Sequence, residues 1–114
     1  MNMRNTRLLG FFAFCFLTLV SCETNPNVAF PTARAVAARA GVGQGPDVAT
    51  LARGRKIYTT SCTECHVVRP IVQLSVEQWR HIIGVMAPRA RLKPDDRAAL
   101  EAYLIAARQA SPHS

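Results

Sequence analysis

The 114-residue sequence lacks a hydrophobic run long enough to cross a lipid bilayer. Its most apolar stretch, Leu8–Val20, has 13 residues, which rise about 20 Å as a helix, whereas the hydrocarbon core of a bilayer is about 30 Å thick. A stable transmembrane helix is therefore not expected. The stretch follows a basic start with Arg4 and Arg7 and precedes the small residue Ser21, a pattern typical of a cleaved bacterial export signal.

The sequence also lacks a β-strand pattern, because no run of Val, Ile and Thr alternates cleanly with polar residues. Removal of residues 1–21 would leave 93 residues with a formal charge of +5, since Arg4 and Arg7 leave and no acid does. One small all-α domain is predicted, and a two-domain enzyme, a Rossmann-type fold and any βαβ array are excluded. The basic residues are scattered, so no nucleic-acid partner is expected.

A domain of this size buries little apolar surface and usually needs a disulfide, a metal or a covalent cofactor. Cys15 lies in the export segment and should leave with it. The run Cys62-Thr63-Glu64-Cys65-His66 is the attachment motif for c-type haem. Two thiols three positions apart reach the two vinyl groups on one side of the porphyrin, and the next residue places an imidazole below the iron.

Three other interpretations of this motif fit the sequence less well. A structural zinc site needs four ligands, usually from a second Cys or His pair, and His81 and His113 show no such pairing. A thioredoxin-like redox pair belongs to an α/β domain with strands. A disulfide between Cys62 and Cys65 leaves His66 without a role, so covalent haem is the prediction.

Three helices are predicted in the compact region. The first begins after Asp47 as N-cap, the second after Ser75 with Gln78 completing a capping box, and the third with Pro94 in its first turn. Pro88 should end the second helix soon after Met86. The third helix carries a buried stripe of Leu100, Tyr103, Leu104 and Ala107, and the apolar face of the second is Trp79, Ile82, Ile83 and Met86.

Residues 22–46 contain little bulky apolar sequence and are predicted to form a flexible tether, with the domain at 47–110 and a tail at 111–114. Thr32–Ala40 could form a short helix that is marginal alone. Arg34 and Arg39 in this segment are either solvated or lie against anionic head groups. Leu19-Val20-Ser21-Cys22 resembles the lipobox of bacterial lipoproteins, which implies lipidation of Cys22, the alternative being an ordinary cleavage site.

Residues 47–108 resemble a small monohaem class I cytochrome c. The resemblance is carried by Gly54, Tyr58 and Cys62 at intervals of four, with Leu100 and Tyr103 three apart in the last helix. It implies a three-helix fold around one haem. In that fold a glycine with no side chain lets the two terminal helices cross closely.

The resemblance implies that His66 is the proximal ligand of the haem iron. The carbonyl of Pro70 or a neighbour is the candidate acceptor for its other ring nitrogen. Met86 is the only methionine after residue 21. Its sulfur is expected to reach the iron from an extended loop, the alternatives being a core role or ligation by His81. Trp79 is either a partner of a haem propionate or a core residue.

The expected function is a membrane-tethered periplasmic carrier of single electrons, not an enzyme. Saturated His/Met ligation leaves no coordination site for a small-molecule substrate, and Met raises the reduction potential. The expected partners are redox proteins of a respiratory chain and the membrane, through the N-terminal lipid. Two alternatives stay open: a haem module with a labile sixth ligand that binds or senses a small molecule, and an electron-transfer subunit of a larger oxidoreductase.

Overall fold

Four α-helices make up the part of the chain that the computed structural model describes, residues 30–41 and 43–111, where no strand occurs. They are α1 Ala33–Ala40, α2 Val48–Thr59, α3 Val76–Arg89 and α4 Pro94–Ala110, with short 3₁₀ turns at Ser61–Thr63 and Ile71–Gln73. None of these helices combines the length and apolarity needed to span a membrane. The all-α prediction is confirmed for the described residues. The predicted signal at 1–21, Cys22 and His113 lie outside them.

The predicted helix starts are confirmed at all three positions. Asp47 caps α2 by accepting from the Thr50 amide at 2.9 Å. Ser75 and Gln78 form a reciprocal capping box at the start of α3. Pro94 opens α4, where Asp95 and Asp96 complement the positive end of the helix dipole. These starts are local, because each depends on residues within one turn of the cap.

Gly54 lies where α2 crosses α4, as the sequence predicts. A Cβ on Gly54 would collide with the backbone carbonyl of Ala99 and would lie 2.6 Å from Cβ of Tyr103. Only a residue without a side chain allows the two helices to approach this closely. The crossing buries the predicted stripe of α4, in which Leu100, Tyr103, Leu104 and Ala107 are at most 3% exposed.

Helix α3 packs on α4, but its backbone does not pack on that of α2. The two helices meet through side chains instead. The ring of Trp79 lies edge-on to the ring of Tyr58 with a centroid distance of 5.7 Å. Trp79 and Ile83 are each 2% exposed and anchor α3 in the core. The region between α2 and α3 is spanned by the segment that carries Cys62, Cys65 and His66.

The structure differs from the sequence prediction at α1, which falls in the predicted tether. Thr32 caps this helix, and Val36 is 1% exposed against α2 and α4. Tyr103 donates its hydroxyl to the Pro31 carbonyl at 2.9 Å, and Arg39 donates to the Ala110 carbonyl at 2.7 Å. Residues 30–40 are therefore part of the packed domain. Tertiary contacts stabilise a helix that is too short to be stable alone.

The end of α3 also differs from the prediction, because the helix continues through Pro88 to Arg89. Proline removes one amide donor, but the amides that follow cap the last turn. Arg91 donates to the Pro88 carbonyl at 3.1 Å, and Leu92 donates to the Ala87 carbonyl at 3.0 Å. Arg91 reaches this position with φ of 53°, in the left-handed region. This is a Schellman-type C-cap with arginine where glycine is usual.

Candidate haem site

The Cys-x-x-Cys-His segment follows α2 as a tight turn built by threonine hydroxyls. Thr60 Oγ1 donates to the Lys56 carbonyl and Thr63 Oγ1 donates to the Thr60 carbonyl, each at 2.6 Å. Such short-range bonds compete with the helix and divert the chain from it. The turn includes the 3₁₀ segment Ser61–Thr63, so that Cys62 lies three residues after the end of α2.

Both cysteines of the motif are free thiols. Cys62 is half-buried and Cys65 is exposed. Burial raises the pKa of the Cys62 thiol above its ordinary value. Burial therefore favours the neutral thiol, and the Cys62 side chain packs against the core. The two thiols are available for covalent attachment of a ligand.

His66 is exposed, and its Nδ1 lies 3.0 Å from the Val67 carbonyl oxygen. The sequence favoured Pro70 or a neighbour as this acceptor, and the acceptor in the structure is Val67. When Nδ1 carries the proton, it donates to that carbonyl and Nε2 keeps its lone pair. This tautomer is the one that binds a metal through Nε2.

The loop after the motif is held by side chains from three different helices. Tyr58 of α2, Trp79 of α3 and Arg108 of α4 each donate a hydrogen bond to one of its backbone carbonyls. The acceptors are, in the same order, the carbonyls of Arg69, Ile71 and Leu74, the last two at 2.9 Å. Buried Tyr and Trp polar groups usually find such partners. No local sequence pattern predicts these pairings, because they join residues that are 8 to 34 positions apart.

Trp79 has a structural role. Its side chain is 2% exposed, and its single N–H donates to Ile71. An indole has no second donor, so the interpretation of Trp79 as a partner of a haem propionate does not fit this geometry. The alternative, a large core residue, is correct.

Met86 lies inside the last turns of α3, and its carbonyl accepts from the Ala90 amide at 2.9 Å. The sequence placed it at the end of a helix, which is confirmed, and expected an extended loop there, whereas the chain stays helical to Arg89. By helical periodicity Met86 is about 20° from Trp79, yet its side chain is 36% exposed. Its neighbour Ile82 is half-buried, and its neighbour Val85 is 39% exposed. We call Ile82, Val85 and Met86 the Ile82 edge.

Most of the large exposed apolar side chains follow the motif in sequence. Among the described residues five large hydrophobic side chains are exposed, and four of them lie between Cys65 and Pro88: Val67, Val72, Val85 and Met86. Val67 is 92% exposed. Covering such surface stabilises a protein by about 25 cal/mol per Å². The described residues offer two free thiols, an exposed imidazole and an exposed thioether side chain, carried by two different elements.

His81 is exposed, as the sequence predicts from its position about 160° away from Trp79 around the helix. It is therefore on the opposite side of α3 from the core. In the described part of the chain, no three His, Cys, Asp or Glu side chains are grouped so that they could hold a metal ion.

Comparison of the chain with protein-family models, curated proteins and solved structures found no significant match. The assignment of the site therefore depends on the chemistry and positions of its own residues. Cys62, Cys65 and His66 lie on one turn after α2, and the Ile82 edge lies on α3. Helix α3 packs directly on α4, whereas the motif is connected to α4 through α2.

Proposed function

We propose that the protein is a membrane-tethered periplasmic carrier of single electrons with one covalently bound c-type haem. The fold we propose is that of a small class I cytochrome c. The observation that carries the proposal is the pair of free thiols at Cys62 and Cys65 followed by the accessible imidazole of His66. These groups precede a loop that three helices hold by hydrogen bonds.

Each residue of the site has a distinct role in this proposal. The thiols of Cys62 and Cys65 add across the vinyl groups of the porphyrin and form two thioethers. His66 binds the iron through Nε2, with Nδ1 directed to the Val67 carbonyl. Met86 supplies the sixth ligand from the Ile82 edge. The haem iron supplies a reversible one-electron change, and saturated axial positions leave no place for a substrate.

The crossing of α2 and α4 supports this fold. The helix that bears Gly54 also precedes the motif, so the crossing fixes the position from which the segment with Cys62 leaves α2. The covalent bonds to the cofactor would stabilise a domain that is too small to be stable through its hydrophobic core alone.

The proposed location is the periplasmic face of a bacterial membrane. Its support is the basic and apolar start of the sequence and Cys22 in a lipobox-like context. Several acyl chains on one residue hold a protein firmly to a bilayer. The tether would raise the effective concentration of the carrier near respiratory redox partners.

The proposal is tested by the absorption spectrum of the oxidised mature chain, residues 22–114 with Cys22→Ser, made in cells that attach haem c. We expect a weak far-red band from sulfur-to-iron charge transfer, with loss of that band in Met86→Ala. The matched control is Val85→Ala, which removes a neighbouring side chain of similar exposure but no sulfur. Absence of covalent haem in the wild-type chain would refute the proposal.

A second candidate function follows from the position of Met86 in a helix. Its backbone is held by the Ala90 amide, so the sulfur must reach the iron by side-chain torsion alone. A haem module that binds a small ligand at a weakly held sixth position is therefore the alternative. A high-spin spectrum in the wild-type chain would favour this module over the carrier. Co-purification with a membrane oxidoreductase would instead indicate a subunit.

A further inference from the structure

A basic groove lies between the start of α1 and one face of α2, outside the candidate haem site. Its volume is about 370 Å³. The α2 residues along it recur at helical spacing, from Val48 to Thr59. Three cationic side chains and three small or apolar ones define its character: Arg34, Arg55, Lys56, Ala33, Val48 and Ala52.

No acidic residue lines this groove. The ion pairs found among the described residues, Arg53 with Asp96 and Arg80 with Glu101, leave its three cations without a carboxylate. Arg34 and Lys56 are exposed. Val48, which also lines the groove, is 42% exposed. The groove therefore offers positive charge next to apolar surface.

The groove is adjacent to the point where the N-terminal segment enters the domain. Arg55 donates its Nε–H to the Phe30 carbonyl at 3.3 Å, and the Phe30 ring lies edge-on to Tyr58 at 5.7 Å. Cys22 precedes Phe30 by eight residues, so their Cα atoms are separated by at most about 29 Å. Because α1 is packed on the domain, the tether is far shorter than residues 22–46.

We propose that this groove binds the head groups of anionic phospholipids in the membrane that holds the protein. The inference rests on the proposed lipidation of Cys22, which brings the groove close to the bilayer. Arg34, Lys56 and Arg55 face the phosphate groups, and Val48 meets the boundary of the acyl chains. The groove selects a lipid over a free anion because its floor is apolar. The contact fixes which face of the domain is directed away from the membrane.

The test uses the mature chain with Cys22→Ser, so that binding does not depend on an acyl anchor. The chain is sedimented with two kinds of vesicle at about 0.1 M salt. One kind is phosphatidylcholine with about 30% phosphatidylglycerol, which has an anionic surface, and the other is pure phosphatidylcholine. We expect binding to the anionic vesicles only. Arg34→Gln with Lys56→Gln should weaken it between about 10- and 30-fold, because each basic residue near the surface contributes about fivefold.

The matched control is Arg97→Gln with Lys93→Gln, which removes the same charges from exposed positions on and before α4. We expect less than a threefold change in this control. Equal losses in both double variants, or no binding of the parent Cys22→Ser chain to anionic vesicles, would overturn the proposal. Displacement by millimolar inorganic phosphate at constant ionic strength would also overturn it, since the groove would then bind a free anion. Haem content does not enter this measurement, so failure of the haem assignment is detected separately.

Discussion

Gly54 of α2 and Ala99 of α4 are in direct backbone contact where the two helices cross. The space above the Gly54 Cα is occupied by the Ala99 carbonyl group and, at 2.6 Å from an ideal Cβ, by Cβ of Tyr103. Neither obstacle is the flexible end of a side chain, so neither yields at low cost. This crossing joins the helix that precedes the motif to the helix on which α3 packs, and it sets the frame of the candidate site.

Gly54→Ala should therefore destabilise the protein strongly. We expect a loss of about 3 kcal/mol in the free energy of unfolding, because overpacking against backbone forces the helices apart. Urea unfolding followed by far-UV circular dichroism measures it. The control is Gly84→Ala in α3, where a Cβ meets nothing within 4 Å and should stabilise the helix by about 0.5–1 kcal/mol. A Gly54→Ala protein as stable as wild type would contradict this geometry.

Val36→Ala tests whether α1 belongs to the domain. Val36 is 1% exposed, so removal of two methyl groups should cost about 1–3 kcal/mol in unfolding free energy. The same substitution at Val48, which is 42% exposed, should change the stability by less than about 0.5 kcal/mol. The two variants are compared in one urea titration. Similar small effects at both sites would mean that α1 is a tether after all.

Arg91→Gly should stabilise the protein. Arg91 holds φ of 53° in the C-cap of α3, and a left-handed conformation costs a residue with Cβ about 1–2 kcal/mol. Glycine also has greater conformational entropy in the unfolded state, which offsets part of this effect. We therefore expect a net gain of about 0.5 kcal/mol in the free energy of unfolding. Arg97→Gly inside α4 is the control and should lose about 1 kcal/mol. Thermal unfolding of both variants gives the comparison, and a destabilised Arg91→Gly protein would argue against this cap.

The stability of the protein should fall as the pH rises above 10. Burial raises the pKa of Tyr103 to about 12 and also raises the pKa of Tyr58. A raised pKa in the folded state means that the unfolded chain releases its proton first. The stabilising effect is then complete below pH 10 and is lost toward pH 12. Burial is the main cause of the raised pKa of Tyr103, and the nearby Arg55 guanidinium partly opposes it.

Tyr103→Phe isolates this effect. At pH 7 we expect a loss of about 1 kcal/mol, since the Pro31 carbonyl is left without its donor. Between pH 10 and 11.5 the variant should lose less stability than wild type, because one of the two shifted tyrosines is gone. Urea titrations at pH 7, 10 and 11.5 measure both parts. An identical pH dependence in wild type and variant would contradict the assignment to Tyr103.

Local sequence determined the helix starts and the buried stripes. Asp47, Ser75 and Pro94 act on amides within one turn, and the stripe through Leu100 and Tyr103 follows the helical period of the sequence. Such features depend on residues three or four positions apart. The steric need for Gly54 was predictable too, but only through the resemblance, since nothing local says which helix crosses it.

The motif itself was also evident from sequence, whereas the surroundings of the site were not. The spacing of Cys62, Cys65 and His66 is a local property. The donors to the loop that follows it, Tyr58 and Trp79 among them, join residues far apart in sequence. The haem and its ligation by Met86 stay predictions that the absorption spectrum addresses, and the lipid on Cys22 stays a prediction.

The sequence by itself determined the helical class, the caps, the Cys-x-x-Cys-His motif and the buried face of α4. Tertiary structure alone decided that α1 packs on α2 and α4 and that Arg34, Arg55 and Lys56 line one basic groove. The physical reason is that different interactions supply the stabilising free energy in the two cases. Capping and periodicity act within one turn, whereas a marginal helix or a groove exists only when distant side chains exclude water together.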